Sequence, residues 1–158
     1  MIKPFCFTVA LAGLLLAALG ASNAMAAEQS GVHFYPRTDN YPFSSAVQVG
    51  DVLYLSGQIG AAEDGKSVVT GGLPAETRRM MELIGRTLQE HGLTYGDLFK
   101  CTVMLTEMHD WPAFNTIYAS YFKPDHYPAR SAMGVSGLAL GAQVEMECWA
   151  YAPQRKAP

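Results

Sequence analysis

Apolar positions change their spacing along this chain, and each change marks a different kind of element. Residues 45–49 (SAVQV) and 52–56 (VLYLS) are short runs of strand formers joined by Gly50-Asp51. They predict a hairpin, although the pair stands in reverse of the favoured Asp-Gly order. The turn-rich stretch from Ala61 to Lys66 leads into residues 67–70 (SVVT), which read as a third strand. After Gly71-Gly72 the period lengthens. Thr77, Met81, Ile84 and Leu88 recur at i, i+4, i+7 and i+11 with charged residues around them, the stripe of an amphipathic helix. Pro74 suits its first turn and Gly92 its C-terminal cap. Gly85, inside the helix, costs on the order of 1 kcal/mol relative to alanine, which predicts a close backbone approach there, with the sheet as the expected neighbour.

Period two returns at residues 99–106 (FKCTVMLT), where Cys101, Val103 and Leu105 share one face and Thr102, Met104 and Thr106 the other. A second helix follows. Asp110 is its expected cap, Pro112 lies in its first turn, and Phe114, Ile117, Tyr118 and Tyr121 form its apolar face up to an end near Phe122. Residues 131–135 and 143–151 are the last two strands. In the final one Val144, Met146, Cys148 and Ala150 oppose Glu145, Glu147, Trp149 and Tyr151. The order β-β-β-α-β-α-β-β describes an α+β domain with two helices packed on one face of a sheet. The other face mixes aromatic and acidic residues, too apolar for water and too charged for a core, which predicts an interface between subunits.

The first 26 residues stand apart. Nineteen of them are apolar and Lys3 carries their one charge. A short positive start, an apolar run over 5–19 and the small-x-small site at 24–26 make residues 1–26 a signal peptide with cleavage expected before Ala27. A spanning helix needs roughly 20 apolar residues and a positive stop, whereas this run gives way to Gly20, Ser22 and Asn23. The expected location is therefore periplasmic or secreted, with no membrane attachment after cleavage. Residues 27–40 read as a flexible N-terminal segment, 41–152 as the folded domain and 153–158 as a C-terminal tail.

Composition sharpens this picture only in part. Of 158 residues, 49% are apolar and 16% charged, which excludes a disordered or collagen-like chain. The formal charge of −3 becomes −4 once Lys3 is removed, so a basic nucleic-acid-binding surface is not expected. Cys101 and Cys148 remain in the mature chain. They would pair in an oxidising compartment, but unpaired cysteines are among the most buried residues, which favours two buried thiols. His33, His91, His109 and His126 show no ligand spacing, so no metal site is expected.

Chemistry concentrates late in the chain. Pro128-Ala-Arg-Ser131 places Arg130 at a strand, where its planar fork suits a carboxylate. Fifteen residues on, Glu145 is able to handle a proton or orient water. By themselves an arginine and a glutamate on neighbouring strands read more readily as a structural ion pair.

Further segments change that balance. YPFSSAV at 41–47, LSGQI at 55–59, CTVMLT at 101–106, FNTIY at 114–118, PARS at 128–131 and VEME at 144–147 occur in an order and spacing that resembles the Rid (RidA/YjgF-type) family, also labelled L-PSP endoribonuclease-like. The resemblance implies a chorismate-mutase-like mixed sheet with two helices on one face, and a homotrimer whose sheets form a central barrel with sites at the subunit clefts. It implies hydrolytic deamination of enamine or imine intermediates such as 2-aminoacrylate to a 2-oxo acid and ammonia, without a metal or cofactor. In that likeness Arg130 binds the substrate carboxylate, Glu145 activates water, and Asn115, Phe43, Gly57 and Ala132 line the pocket. Phe43 replaces the family's usual tyrosine and Gly60 a common proline. A pocket kept for binding small molecules, or a protein-protecting role, is the alternative, and endoribonuclease activity ranks last.

Overall fold

The computed structural model describes residues 31–39 and 41–153; the expected signal peptide and cleavage site lie outside them. Six strands form one sheet: β1 (Val32–Pro36), β2 (Ser44–Val49), β3 (Val52–Ile59), β4 (Leu98–Leu105), β5 (Ala129–Gly134) and β6 (Val144–Tyr151). Two helices, α1 (Gly72–Glu90) and α2 (Trp111–Ala119), complete the described fold with three short 3-10 turns. The strand order is β1-β2-β3-β6-β4-β5. Neighbours run antiparallel except β4 and β5, which are parallel. Parallel neighbours require a crossover, and here α2 supplies it.

The element order is as expected, but one strand has moved. The segment read as a flexible tether, 27–40, contains β1, which pairs with β2 through His33↔Gln48 and Phe34↔Val47. Residues 67–70 make only the bridge Ala61↔Val68. A five-residue edge strand draws its order from hydrogen bonds to a partner; Val32, Phe34 and Tyr35 are strand formers, but the run is short, ends in Pro36 and sits in an otherwise polar stretch that hides it. Gly50 turns the β2–β3 hairpin at φ 56°, a region where only glycine is unstrained.

The α1 stripe buries Thr77, Met81, Ile84 and Leu88, joined by Leu73 and Met80. It packs on Leu53, Leu55, Met146, Cys148 and Ala150 of the sheet, while Phe114 and Tyr118 of α2 extend the same core. Gly92 at φ 70° ends α1, with Gly92 N–H donating to Gln89 O (2.9 Å) and Leu93 N–H to Leu88 O (2.8 Å). This is the Schellman pattern. Gly85 does face a close neighbour, but that neighbour is Tyr95 rather than the sheet: its hydroxyl sits where a Cβ would be and donates to Met81 O at 2.7 Å.

Cys101 and Cys148 face each other directly across β4 and β6 and form a disulfide with Cα atoms 4.1 Å apart. The expectation of two free buried thiols is thereby overturned. Both residues are buried as that reading required, but pairing depends on β4 lying beside β6, an adjacency that local periodicity does not contain. At a sequence separation of 47, the link removes loop entropy from the unfolded chain equivalent to about 4 kcal/mol. A Cys101→Ser/Cys148→Ser variant is expected to lose stability of that order in equilibrium urea unfolding, and the reductant dithiothreitol should then have no further effect on it.

Candidate active site

Strand alternation decides which side chains reach the space beneath α2. Arg130 pairs in parallel register with Cys101, whose side chain is buried on the helix side of the sheet. The guanidinium therefore enters the helix layer. Its Nη2 donates to Asn115 Oδ1 at 2.7 Å. Its Cζ lies 4.5 Å from the Trp111 ring centroid, 4.3 Å from Tyr118 and 5.5 Å from Phe114. Trp111, Phe114, Asn115 and Tyr118 fall at i, i+3, i+4 and i+7, so one face of α2 delivers all four.

Burial lowers the Arg130 pKa from its ordinary value while the Tyr118 phenol raises it, but an arginine remains cationic under either influence. Contacts with ring faces are worth about 0.5–2 kcal/mol each and offset part of the desolvation. A cavity of about 300 Å³ opens beside this group, lined by Asn115, Tyr118, Ala119, Tyr127, Pro128 and Arg130. Ala132 follows on the same face of β5 and is exposed.

Glu145 lies elsewhere. It pairs with Met104 and Ile59 and alternates with buried Val144 and Met146, which turns it to the outer face of the sheet. Gly57 packs against its carboxylate, where a Cβ would collide with Oε1. Burial, then the neighbouring Glu147, raises the Glu145 pKa above its ordinary value. Phe43 precedes β2, exposed, with the Arg37 guanidinium 4.8 Å above its ring. It is four strands from β5, or roughly 19 Å at ordinary inter-strand spacing. Arg130 and Asn115 thus meet within one chain, as do Glu145 and Gly57. These two pairs and Phe43 do not meet one another.

Gly60 also has a structural reason. A Cβ there would lie 2.5 Å from Glu76 Cα, so the end of β3 touches α1 with no room for the ring of a proline. Glu76 itself is buried and accepts the Gln143 backbone N–H at 2.8 Å, just before β6.

A larger cleft of about 810 Å³ lies between β1, β2 and the end of α1. Several of its polar groups satisfy each other, with Tyr35 Oη donating to Gln48 Oε1 (3.0 Å) and Ser45 Oγ to Tyr35 O (3.0 Å), whereas His91 Nε2 is buried without a partner. The smaller cavity, beside a half-buried cation, is the better candidate for chemistry.

The family model described as endoribonuclease L-PSP matches residues 37–152. This chain is a member of the Rid family. The mouse protein named 2-iminobutanoate/2-iminopropanoate deaminase is 37% identical over 67% of this chain and 78% of its own length. The human protein of the same name is 36% identical over 67% and 77%. Among solved structures, the Rid-family protein YyfA from Yersinia pestis is 35% identical with a TM-score of 0.68, covering 75% of this chain and 93% of that one. RidA from an Antarctic Psychrobacter is 30% identical with a TM-score of 0.65, covering 75% and 93%. The mixed sheet with two helices on one face is the fold of this family.

The motifs carry family membership, whereas none of them marks the rings as surrounding Arg130. Phe114 and Tyr118 read only as the apolar face of α2; their i, i+3, i+7 alignment with Trp111 carried the signal. An NMR titration of the Glu145 carboxyl is expected to give a midpoint above the ordinary glutamate range, and Glu147→Gln should lower it by removing the like charge.

Proposed function

We propose that this protein hydrolyses reactive 2-imino acids to 2-oxo acids and ammonia. The observation that carries the reading is Arg130: Nη2 is held by Asn115, while buried Nη1, beside the Tyr118 phenol, completes no hydrogen bond of good geometry. A buried cationic donor left unpaired in a cavity suits an anionic ligand group, and the carboxylate of an imino acid is such a group. The names of the mouse and human relatives support the same chemistry.

The imine carbon is already electrophilic. Water adds to it, a proton moves to nitrogen, and collapse of the carbinolamine expels ammonia. The protein has to hold the carboxylate, place the water and accept its proton. Glu145 suits the last task, because its raised pKa brings a carboxylate closer to the working pH of a base.

Arg130 and Glu145 occupy opposite faces of one sheet, so the complete site is built between copies, with Arg130 of one subunit facing Glu145 and Phe43 of a neighbour. The outer face supports association: Phe99, Met133, Trp149 and Tyr151 are exposed there, and Trp149 packs on Tyr54 at 4.9 Å and Phe99 at 6.3 Å. A homotrimer is the proposed assembly, and the cell envelope, after removal of residues 1–26, the proposed location. N-terminal sequencing of the exported protein should begin at Ala27; retention of residues 1–26 would refute cleavage.

Phe43 lacks the usual hydroxyl, which favours as second reading a binding pocket without turnover. Ammonia release separates the two. In a coupled assay that generates 2-iminopropanoate, wild type is expected to accelerate ammonia release and Arg130→Ala to lower kcat/KM by roughly 100-fold. Reassembling an equal mixture of Arg130→Ala and Glu145→Gln subunits should recover about a quarter of the wild-type rate by random assortment around a ring. A site built within one chain would recover none.

A further inference from the structure

Resting on that reading, a second orphaned atom lies beside Arg130. Tyr118 Oη is buried against the Arg130 guanidinium and interacts with it, yet neither Tyr118 Oη nor Arg130 Nη1 completes a hydrogen bond of good geometry. Among the described residues, the other buried side-chain polar atoms in this condition are Thr77 Oγ1 and His91 Nε2, on and just beyond α1 and away from the cavity of about 300 Å³. Two unsatisfied groups on adjacent residues of one cavity wall are more than a packing defect. An orphaned buried hydroxyl or guanidinium N–H costs roughly 1–3 kcal/mol, more when charged, and one incoming acceptor with two lone-pair-bearing oxygens would satisfy both.

We propose that the Tyr118 hydroxyl is a second donor to the ligand carboxylate, one oxygen of which takes Arg130 Nη1–H while the other takes Tyr118 Oη–H. The surroundings fit this role. Tyr118 holds its ring 4.3 Å from the Arg130 Cζ, so the hydroxyl and the guanidinium are parts of one rigid arrangement. The Phe114 ring, 5.6 Å from the Tyr118 centroid, backs it. Asn115 occupies Nη2, which leaves Nη1 with donor capacity that no hydrogen bond of good geometry uses. Burial also raises the Tyr118 pKa above its ordinary value, so the phenol keeps the proton it has to donate. Both donors are shielded from water, where a hydrogen bond to an anion is strongest.

Such a pair discriminates. An anion presenting two oxygens engages both donors, whereas a neutral amide presents one carbonyl oxygen and turns an N–H toward one of them.

The test compares wild type, Tyr118→Phe and Arg130→Ala as full-length mature protein. Pyruvate and its neutral analogue pyruvamide serve as probes in isothermal titration, with Tm measured on each unliganded variant. Tyr118→Phe keeps the ring and removes only the hydroxyl. It is expected to weaken pyruvate binding roughly 10-fold or more, to leave pyruvamide binding unchanged, and to hold or raise Tm because an unsatisfied hydroxyl is gone. In imine hydrolysis the same change should raise KM with kcat little altered, since the carboxylate is bound alike in ground and transition states. Wild-type affinity for pyruvate in Tyr118→Phe, with binding lost in Arg130→Ala, would overturn the second donor while leaving the arginine site intact. Wild-type affinity in Arg130→Ala would overturn the site itself, and equal weakening of pyruvate and pyruvamide would assign Tyr118 to packing alone.

Discussion

Alternation along a strand allows each residue one face of the sheet, and this constraint governs the rest of the structure. On β4, β5 and β6 the inner positions carry Cys101, Val103, Leu105, Arg130, Val144, Met146 and Cys148, and the outer ones Thr102, Met104, Glu145, Glu147 and Trp149. The core and the Arg130 guanidinium share one side, whereas the Glu145 carboxylate takes the other. A single chain cannot fold the two together without a register slip that would turn its whole core outward. An apolar, acid-bearing outer face and the separation of Arg130 from Glu145 are thus two results of the same geometry.

Placing a guanidinium in the helix layer is expensive unless its surroundings compensate. The crossover α2 does this with one helical face: three rings lie against the cation and Asn115 bonds one nitrogen. The compensation is incomplete, because one nitrogen completes no hydrogen bond of good geometry, and it is from this deficit that the proposed carboxylate ligand would draw its binding energy.

Features set by neighbours in sequence were readable from it. The α1 stripe, the Gly92 cap, the Gly50 turn and the inner face of β6 all depend on residues within a few positions of one another, and they fall where the periodicity puts them. Features set by long-range pairing were not. Strand β1 exists through its partner β2, the Cys101–Cys148 bond through the placement of β6 beside β4, and the close neighbour of Gly85 through the return of Tyr95 onto α1. For the candidate site, the motifs singled out Arg130, Asn115 and Glu145. Strand alternation, once β5 is known to run parallel to β4, separates the first two from the third.

The disulfide gives one sequence two lifetimes. The opening equilibrium of a reduced chain, about 4 kcal/mol less stable, lies roughly a thousandfold further toward open forms. Proteases that cleave such forms would clear the reduced protein far faster than the oxidised one. The bond between β4 and β6 thereby makes persistence of the protein depend on the redox character of its surroundings.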